Sequence, residues 1–259
     1  MKRNVRTITN NMELLEKTIG RLKAFEPKDG YYGAFSGGKD SQVLYHVAQM
    51  SGVKVDWHFH VTTVDPPQLL SFIRKNYPDV EWSRPAKTMF QLIEEKKILP
   101  TRFVRYCCRE LKEGGRKGRS VLVGVRAEES AKRSHYQMVE ACQRNHQHLI
   151  RPLLDWKWGD VWGFLHSQNI KHCELYDPPY NFKRIGCIGC PMAGRGVWRE
   201  FRLFPNFKKA YLNTIKKAME HGAYRDHKSP ESVLRWWIAG ENSKTFFEKE
   251  KQESFCFDN

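Results

Sequence analysis

The stretch Ser36-Gly37-Gly38-Lys39-Asp40-Ser41 gathers paired glycines, two hydroxyls, a cation and a carboxylate into six residues. A short apolar run at 31–35 precedes it, and Val43, Leu44, Val47 and Ala48 follow with helical period. The pattern reads as strand, glycine turn, helix. Glycines let the backbone approach a ligand closely, and the unpaired N–H groups of a helix's first turn stabilise an anion. A bare Gly-Gly would be only a turn. The serines, lysine and aspartate packed around it point to a phosphate site, with Ser36, Gly37, Gly38, Lys39, Asp40 and Ser41 as candidate nucleotide-binding residues.

The second group with chemical potential is Cys107-Cys108 together with Cys187-x-x-Cys190. A two-residue gap lets both sulfurs turn to one metal, and Gly186, Gly189 and Pro191 suit the tight loop this requires. Four thiolates suit structural zinc or an iron–sulfur cluster. Directly adjacent cysteines are awkward for one tetrahedral ion but reach two corners of a larger cubane. The pairs lie far apart in sequence, so such a site is expected to staple two parts of the chain together. Cys142 and Cys173 read as small buried hydrophobes, and Cys256, near the chain end, as a candidate reactive thiol.

The positioning elements follow from hydrophobic period and punctuation. Residues 53–61 are rich in strand formers and stop at Asp65-Pro66-Pro67, which can open a helix at 68–76. Residues 80–82 suggest a third strand, 88–97 a helix and 121–125 a buried strand. Strands alternating with helices imply an α/β fold with a doubly wound, mostly parallel sheet. Ligands on such sheets sit at the carboxyl ends of the strands, where the glycine loop, Asp65 and Arg126 are all expected. Asp65 either caps a helix or orients Mg2+ or a ribose, and Arg126, followed by Lys132 and Arg133, suits phosphate contact. The candidate catalytic residues are Lys39, Asp40, Asp65 and Arg126.

An amphipathic helix within 1–29 is expected to cover the sheet edge. Trp158, Val161, Trp162 and Leu165 form an apolar stripe that reads as core. Beyond a loop rich in Gly, Pro and Cys, helices are expected at 207–221, 231–239 and 244–252. The division is therefore 1–180, a nucleotide-binding α/β domain, and 181–259, a cysteine-containing loop with a helical appendage.

A chain of 259 residues, 40% hydrophobic, is long enough for a sizeable core and is not of disordered composition. No apolar run approaches the ~18 residues of a membrane span, and a cytoplasmic location is expected. Seven cysteines there are more readily ligands or thiols than disulfides. The formal charge is +15, and residues 96–151 hold 14 Lys/Arg against 5 Asp/Glu. A surplus of this size fits a polyanion, DNA or RNA, with a solvated basic face as the alternative. A homo-oligomer is compatible with these features.

The loop resembles the PP-loop, the Ser-Gly-Gly-x-Asp-Ser signature of enzymes that split ATP between its alpha and beta phosphates, and differs in spacing from the P-loop of kinases. The resemblance extends in order through Cys-Cys-Arg-x-x-Lys-Glu, Gly-Val-Arg-Ala-Glu-Glu-Ser, Pro-Leu-Leu-Asp-Trp-Lys-Trp-Gly-Asp-Val-Trp, Leu-Tyr-Asp and Lys-Arg-Ile-Gly-Cys-Ile-Gly-Cys-Pro. Together these are similar to the phosphoadenosine-phosphosulfate reductase superfamily over about residues 30–240. The resemblance implies an adenine nucleotide alpha hydrolase-like fold and a [4Fe-4S] cluster on Cys107, Cys108, Cys187 and Cys190, with zinc as the alternative. It also implies use of ATP and Mg2+. One branch splits ATP to AMP and pyrophosphate and inserts sulfur into DNA or tRNA with a cysteine desulfurase or other sulfur donor; the intact loop, the cysteines and the basic middle favour it. The alternative branch reduces a sulfonucleotide and releases sulfite, typically with an altered loop and a Glu-Cys-Gly-Leu-His type tail. A non-catalytic, nucleotide-sensing nucleic-acid-binding module is a third reading.

Overall fold

The computed structural model describes residues 2–142, 146–242 and 244–248, with side chains from Met12 onward. In chain order its helices are α1 (Lys2–Ala24), α2 (Lys39–Ser51), α3 (Pro67–Asn76), α4 (Met89–Lys96), α5 (Tyr106–Lys112), α6 (Ala131–Ser134), α7 (Trp158–Ser167), α8 (Val197–Leu203), α9 (Pro205–Glu220) and α10 (Pro230–Ala239). Its strands are β1 (Tyr31–Phe35), β2 (Val55–His60), β3 (Glu81–Ser83), β4 (Ser120–Val123), β5 (Val139–Cys142) and β6 (Gln147–Ile150). The chain divides into two compact units. The first holds Met1–Val61, Pro67–Arg84 and Glu113–Gly186, and the second holds Thr62–Pro66, Pro85–Lys112 and Cys187–Asn259. A contiguous cut at 180/181 therefore differs from the observed division, because the second unit also takes two segments from within the first half.

The first unit carries a six-stranded sheet in the order β3-β2-β1-β4-β6-β5. All neighbours are parallel except β5 and β6, which form an antiparallel edge pair. From β1 the chain winds outward through β2 to β3, then returns to place β4 on the other side of β1. The order thus reverses between β1 and β4, and the crevice at a reversal is where sheets of this class bind ligands. Both strands end there in the segments singled out by sequence, Ser36 to Ser41 and Gly124 to Arg126.

Burial explains the strand assignments. Tyr31, Tyr32 and Phe35 of β1 are buried, as are Val121 and Leu122 of β4 and, on α2, Val43, Leu44 and Val47. A strand covered on both faces reads as a continuous apolar run, as these do. Helix α1 packs on α2 and α7 rather than over a sheet edge. Thr18 on α1 accepts the indole N–H of the buried Trp156 at 2.9 Å, and Arg21 pairs with Asp155 at 2.6 Å. Covering helices instead of an edge strand lets one amphipathic face bury Leu22 completely.

The second unit is helical. Thr88 and Gln91 form a reciprocal capping box at the start of α4, and Ser229 with Pro230 starts α10. Helices α9 and α10 fall where the period predicts them. Of the expected helix at 244–252, residues 244–248 are helical and the rest lies outside the described residues. Tyr211 is fully buried between the rings of Phe90, Phe201 and Trp237. Among the described residues no helix is long and apolar enough to cross a membrane.

Candidate nucleotide loop and cysteine centre

The glycine turn of the first unit has the geometry expected of a phosphate loop. Gly37 has φ +69°, and a Cβ there would lie 2.6 Å from Ile73 Cδ1 on α3, so both conformation and packing demand glycine. Gly38 caps α2 without a side-chain hydrogen bond of its own. The Ser36 hydroxyl donates to Ser41 Oγ at 3.1 Å, and the Ser41 hydroxyl donates to the Gly38 carbonyl at 2.8 Å. These bonds hold the turn against the helix start. The Lys39 N–H, an otherwise orphan donor of the first turn, donates to the Tyr176 hydroxyl at 2.9 Å.

Three charges are ordered around this turn. Lys39 Nζ lies 2.9 Å from Asp40 Oδ2, and Arg126 Nε lies 2.6 Å from Asp40 Oδ1. Lys39 and Arg126 are only 3% and 4% exposed. Burial works against the charge on Arg126, but Asp40 and Glu128 hold it cationic. Its second contact, to Glu128, is 2.6 Å, and its own N–H donates to Glu129 at 3.1 Å. Both oxygens of Asp40 therefore face a cation, and two buried cations flank the helix N-terminus. That combination favours a multiply charged anion at the turn.

Asp65 belongs to the second unit, where its carboxylate accepts the Thr62 N–H at 2.6 Å and closes a local turn. Burial raises its pKa, with the Thr62 bond and Lys112 acting in the opposite direction.

The four candidate cysteine ligands share the second unit, which brings together their two segments, Pro85–Lys112 and Cys187–Asn259. Cys107 and Cys108 sit on α5, and Cys187 and Cys190 on the loop before α8. Gly189 between them has φ +75°, and a Cβ there would come within 2.8 Å of the Tyr211 ring. The thiols interact. A hydrogen bond from Cys107 holds the Cys108 thiol well below its ordinary pKa, helped by Arg105, whose Nη2 lies 3.3 Å from Cys108 Sγ. The same bond, with burial, raises Cys107, whose thiol also feels Cys187 and Cys190. Lys112 is raised chiefly by the charge of Cys187. Among the described residues no three His, Cys, Asp or Glu side chains converge closely enough to hold a single ion. Four soft thiols under mutual influence, with Arg105 and Lys112 to offset their charge, are a donor set that suits zinc or an iron–sulfur group. Cys173 is fully buried, Cys142 is half-buried, and Cys256 lies outside the described residues.

Glu200 on α8 supports the cysteine loop by accepting the Gly189 N–H at 2.8 Å. Burial raises its pKa to about 7, the hydrogen bond acting in the opposite direction. Above the ordinary carboxylate range and up to about pH 7, the folded chain keeps a proton that the unfolded chain has released. Stability should therefore fall as pH rises through that window. Glu200→Gln retains an acceptor for Gly189 and should abolish this dependence, stabilising the chain by about 1–2 kcal/mol at neutral pH after allowance for solvent screening. Thermal midpoints across the window check it; parallel profiles for the two proteins would refute the assignment.

Sequence reading missed two features. The Trp158 to Leu165 stripe is only half core: Val161 and Leu165 are fully buried, but Trp158 is 56% exposed. The other is long-range pairing within the first unit: Arg119 meets Asp29 and Asp56, and Arg126 meets Asp40.

The family model described as the phosphoadenosine phosphosulfate reductase domain matches residues 31–193, from β1 to just beyond the second cysteine pair. The chain belongs to that family. An uncharacterized protein of Methanocaldococcus jannaschii is 29% identical over 71% of this chain and 47% of its own length. The adenosine 5'-phosphosulfate reductase of Staphylococcus saprophyticus is 26% identical over 61% of this chain and 63% of its own. The chain thus spans roughly half to three fifths of the length of these relatives. A solved phosphoadenylyl-sulfate reductase from Candida auris superposes with a TM-score of 0.48 at 18% identity, covering 70% of this chain and 93% of that one.

Proposed function

We propose that this chain is an enzyme that acts on an adenine nucleotide in sulfur chemistry, and that its reaction is the reductive cleavage of a sulfonucleotide to sulfite and AMP. The observation that carries this reading is the pair of buried cations, Lys39 and Arg126, held by Asp40 at the start of α2, which suits a nucleotide's anionic end. The relative from Staphylococcus saprophyticus bears the corresponding name. In such a reaction a thiolate attacks the substrate's sulfur, AMP leaves with the electron pair of the broken S–O bond, and a second thiol releases sulfite while forming a disulfide. Cys256 is the candidate for the first thiolate. A [4Fe-4S] cluster on Cys107, Cys108, Cys187 and Cys190 would supply structural closure to the second unit.

A second reading is supported by one specific observation, the unaltered Ser36-Gly37-Gly38-Lys39-Asp40-Ser41 sequence. It suits cleavage of ATP to AMP and pyrophosphate, with Mg2+ sharing the charge of the leaving group and a nucleic acid as sulfur acceptor. Anaerobically purified protein should be incubated with adenosine 5'-phosphosulfate and reduced thioredoxin, and separately with Mg2+ and labelled ATP with or without nucleic acid. Sulfite with AMP is the expected result. Pyrophosphate and AMP from ATP, without sulfite from the sulfonucleotide, would replace the first reading by the second.

A further inference from the structure

Phe103, on the second unit's loop between α4 and α5, is 97% exposed, and neither the nucleotide loop nor the cysteine centre uses it. A fastened turn holds it in solvent. The Thr101 hydroxyl accepts the N–H groups of Phe103 and Val104 at 3.3 and 3.0 Å, and the Thr101 N–H donates to the Val104 carbonyl at 3.1 Å. The flanks are anchored in the helical core of the same unit. The Leu99 N–H donates to the Tyr224 hydroxyl at 2.5 Å, the Trp237 indole to the Pro100 carbonyl at 2.6 Å, and the Tyr106 hydroxyl to the Ile98 carbonyl at 2.6 Å. A lone exposed ring is ordinary on a protein surface, but the charge around this one is not.

Between Lys96 and Glu110 the chain sets Lys96, Lys97, Arg102, Arg105 and Arg109 against a single carboxylate, Glu110. Glu110 already faces Arg109 at 3.3 Å and Lys96 at 3.9 Å. Arg102, next to Phe103, donates to a neutral acceptor, the Pro191 carbonyl, at 3.3 Å. Gly194, at φ +54°, makes room for it, since a Cβ there would lie 2.6 Å from the Arg102 guanidinium. The Phe103 turn is thereby joined to the segment following Cys190, where Met192 and Arg195 are exposed and where no carboxylate occurs from Cys187 to Arg199. The pairing of ring and cation recurs on α8 and α9, where Lys208 Nζ lies 6.0 Å from the centroid of the part-exposed Trp198 ring.

We propose that this surface binds single-stranded nucleic acid, an unpaired base stacking on Phe103 while the cations around it meet the phosphates. Stacking on an open ring needs a base free of its partner, which a single strand offers and a duplex does not. Charges of one sign repeated along two joined segments, in a chain of net charge +15, match a ladder of phosphates better than the mixed charges of a protein face. Neither segment offers a carboxylate or amide side chain to tell a ribose from a deoxyribose, so a DNA strand is a sufficient probe. Such a surface would serve the second reading above, in which a nucleic acid accepts sulfur, yet it stands on residues apart from the α2 loop.

The test is fluorescence anisotropy of the full chain with a labelled oligothymidylate of about twelve nucleotides, in the absence of ATP and sulfonucleotide. Phe103→Ala should weaken binding roughly tenfold, the usual worth of one stacked base, and Phe103→Trp should restore it. The thermal midpoint should not move, because the side chain lies in solvent, nor should the slope of log affinity against log salt, because no charge is lost. Arg102→Gln and Arg195→Gln keep a donor but remove a charge, and each should reduce that slope by about 0.7. A duplex of the same length should be indifferent to Phe103→Ala. Absence of oligothymidylate binding, or equal affinity of Phe103→Ala and the unaltered chain, overturns the proposal. Tighter binding of polyglutamate than of the oligonucleotide also overturns it and marks the surface as a dock for an acidic protein. No nucleotide is turned over in these titrations, so their failure leaves the reaction at the α2 loop untouched.

Discussion

Replacing Lys39 by alanine is expected to lower nucleotide turnover by about 10²–10³-fold while leaving the chain folded, the usual cost of deleting one preorganised charge from a reacting site. The argument rests on how the charges around α2 are shared. Asp40 holds two cations, so losing Lys39 leaves its carboxylate still paired with Arg126 at 2.6 Å. No buried charge is stranded, and the destabilisation should stay near ~1–2 kcal/mol rather than the ~3–5 kcal/mol of an orphaned ion. Alanine also suits the first position of a helix interior. Arg126 is the less informative target because its side chain binds both Asp40 and Glu128, so its loss would leave two carboxylates without that cation. Steady-state kinetics with thermal midpoints on the same preparations give the answer. A fall in kcat with the midpoint nearly unchanged supports a catalytic Lys39; unchanged kcat would reduce it to a structural partner of Asp40.

What was legible in the sequence tracks how local the cause is. The strand-turn-helix around Gly37 could be read because every determinant lies within twenty residues: the apolar run, the glycines and the helical period. The parallel sheet followed from alternation of elements, and its reversal between β1 and β4 put Gly124 and Arg126 beside the loop. The β5 and β6 pair was not legible, since four-residue strands carry little periodic signal. The grouping of Asp65 with the cysteines was hidden for another reason. The chain leaves the first unit at Thr62 and returns at Pro67, and five residues give no compositional sign of that excursion. Trp158 failed differently: an apolar stripe at helical spacing states which face is apolar, not whether a neighbour covers all of it. The partners of Arg119 (Asp29 and Asp56) and of Arg126 (Asp40) were not legible either, because sequence distance conceals them.

The cysteine centre yields the other large effect. Cys187→Ser should remove most of the iron and the visible absorbance of anaerobically prepared protein, whereas Cys173→Ser should leave both in place. The two residues differ in surroundings rather than in sequence context. Cys173 is fully buried, and burial raises its pKa to about 11, so it remains a neutral thiol. Cys187 is half-buried, lies 3.4 Å from the Thr62 hydroxyl and acts electrostatically on Lys112, Cys107 and Cys190. A thiolate there has a cation to meet it, which is what a soft metal ligand requires. Serine preserves size but presents a hard oxygen of high pKa, so it fills the position without replacing the bond. Because ligand binding and folding are linked in such sites, the same variant should also lower the midpoint of the helical unit. Iron retained after Cys187→Ser would remove Cys187 from the ligand set. Zinc in place of iron in the unaltered protein would keep the four thiols as ligands but replace the cubane by a single ion, and the adjacency of Cys107 and Cys108 would then need a rearrangement of α5.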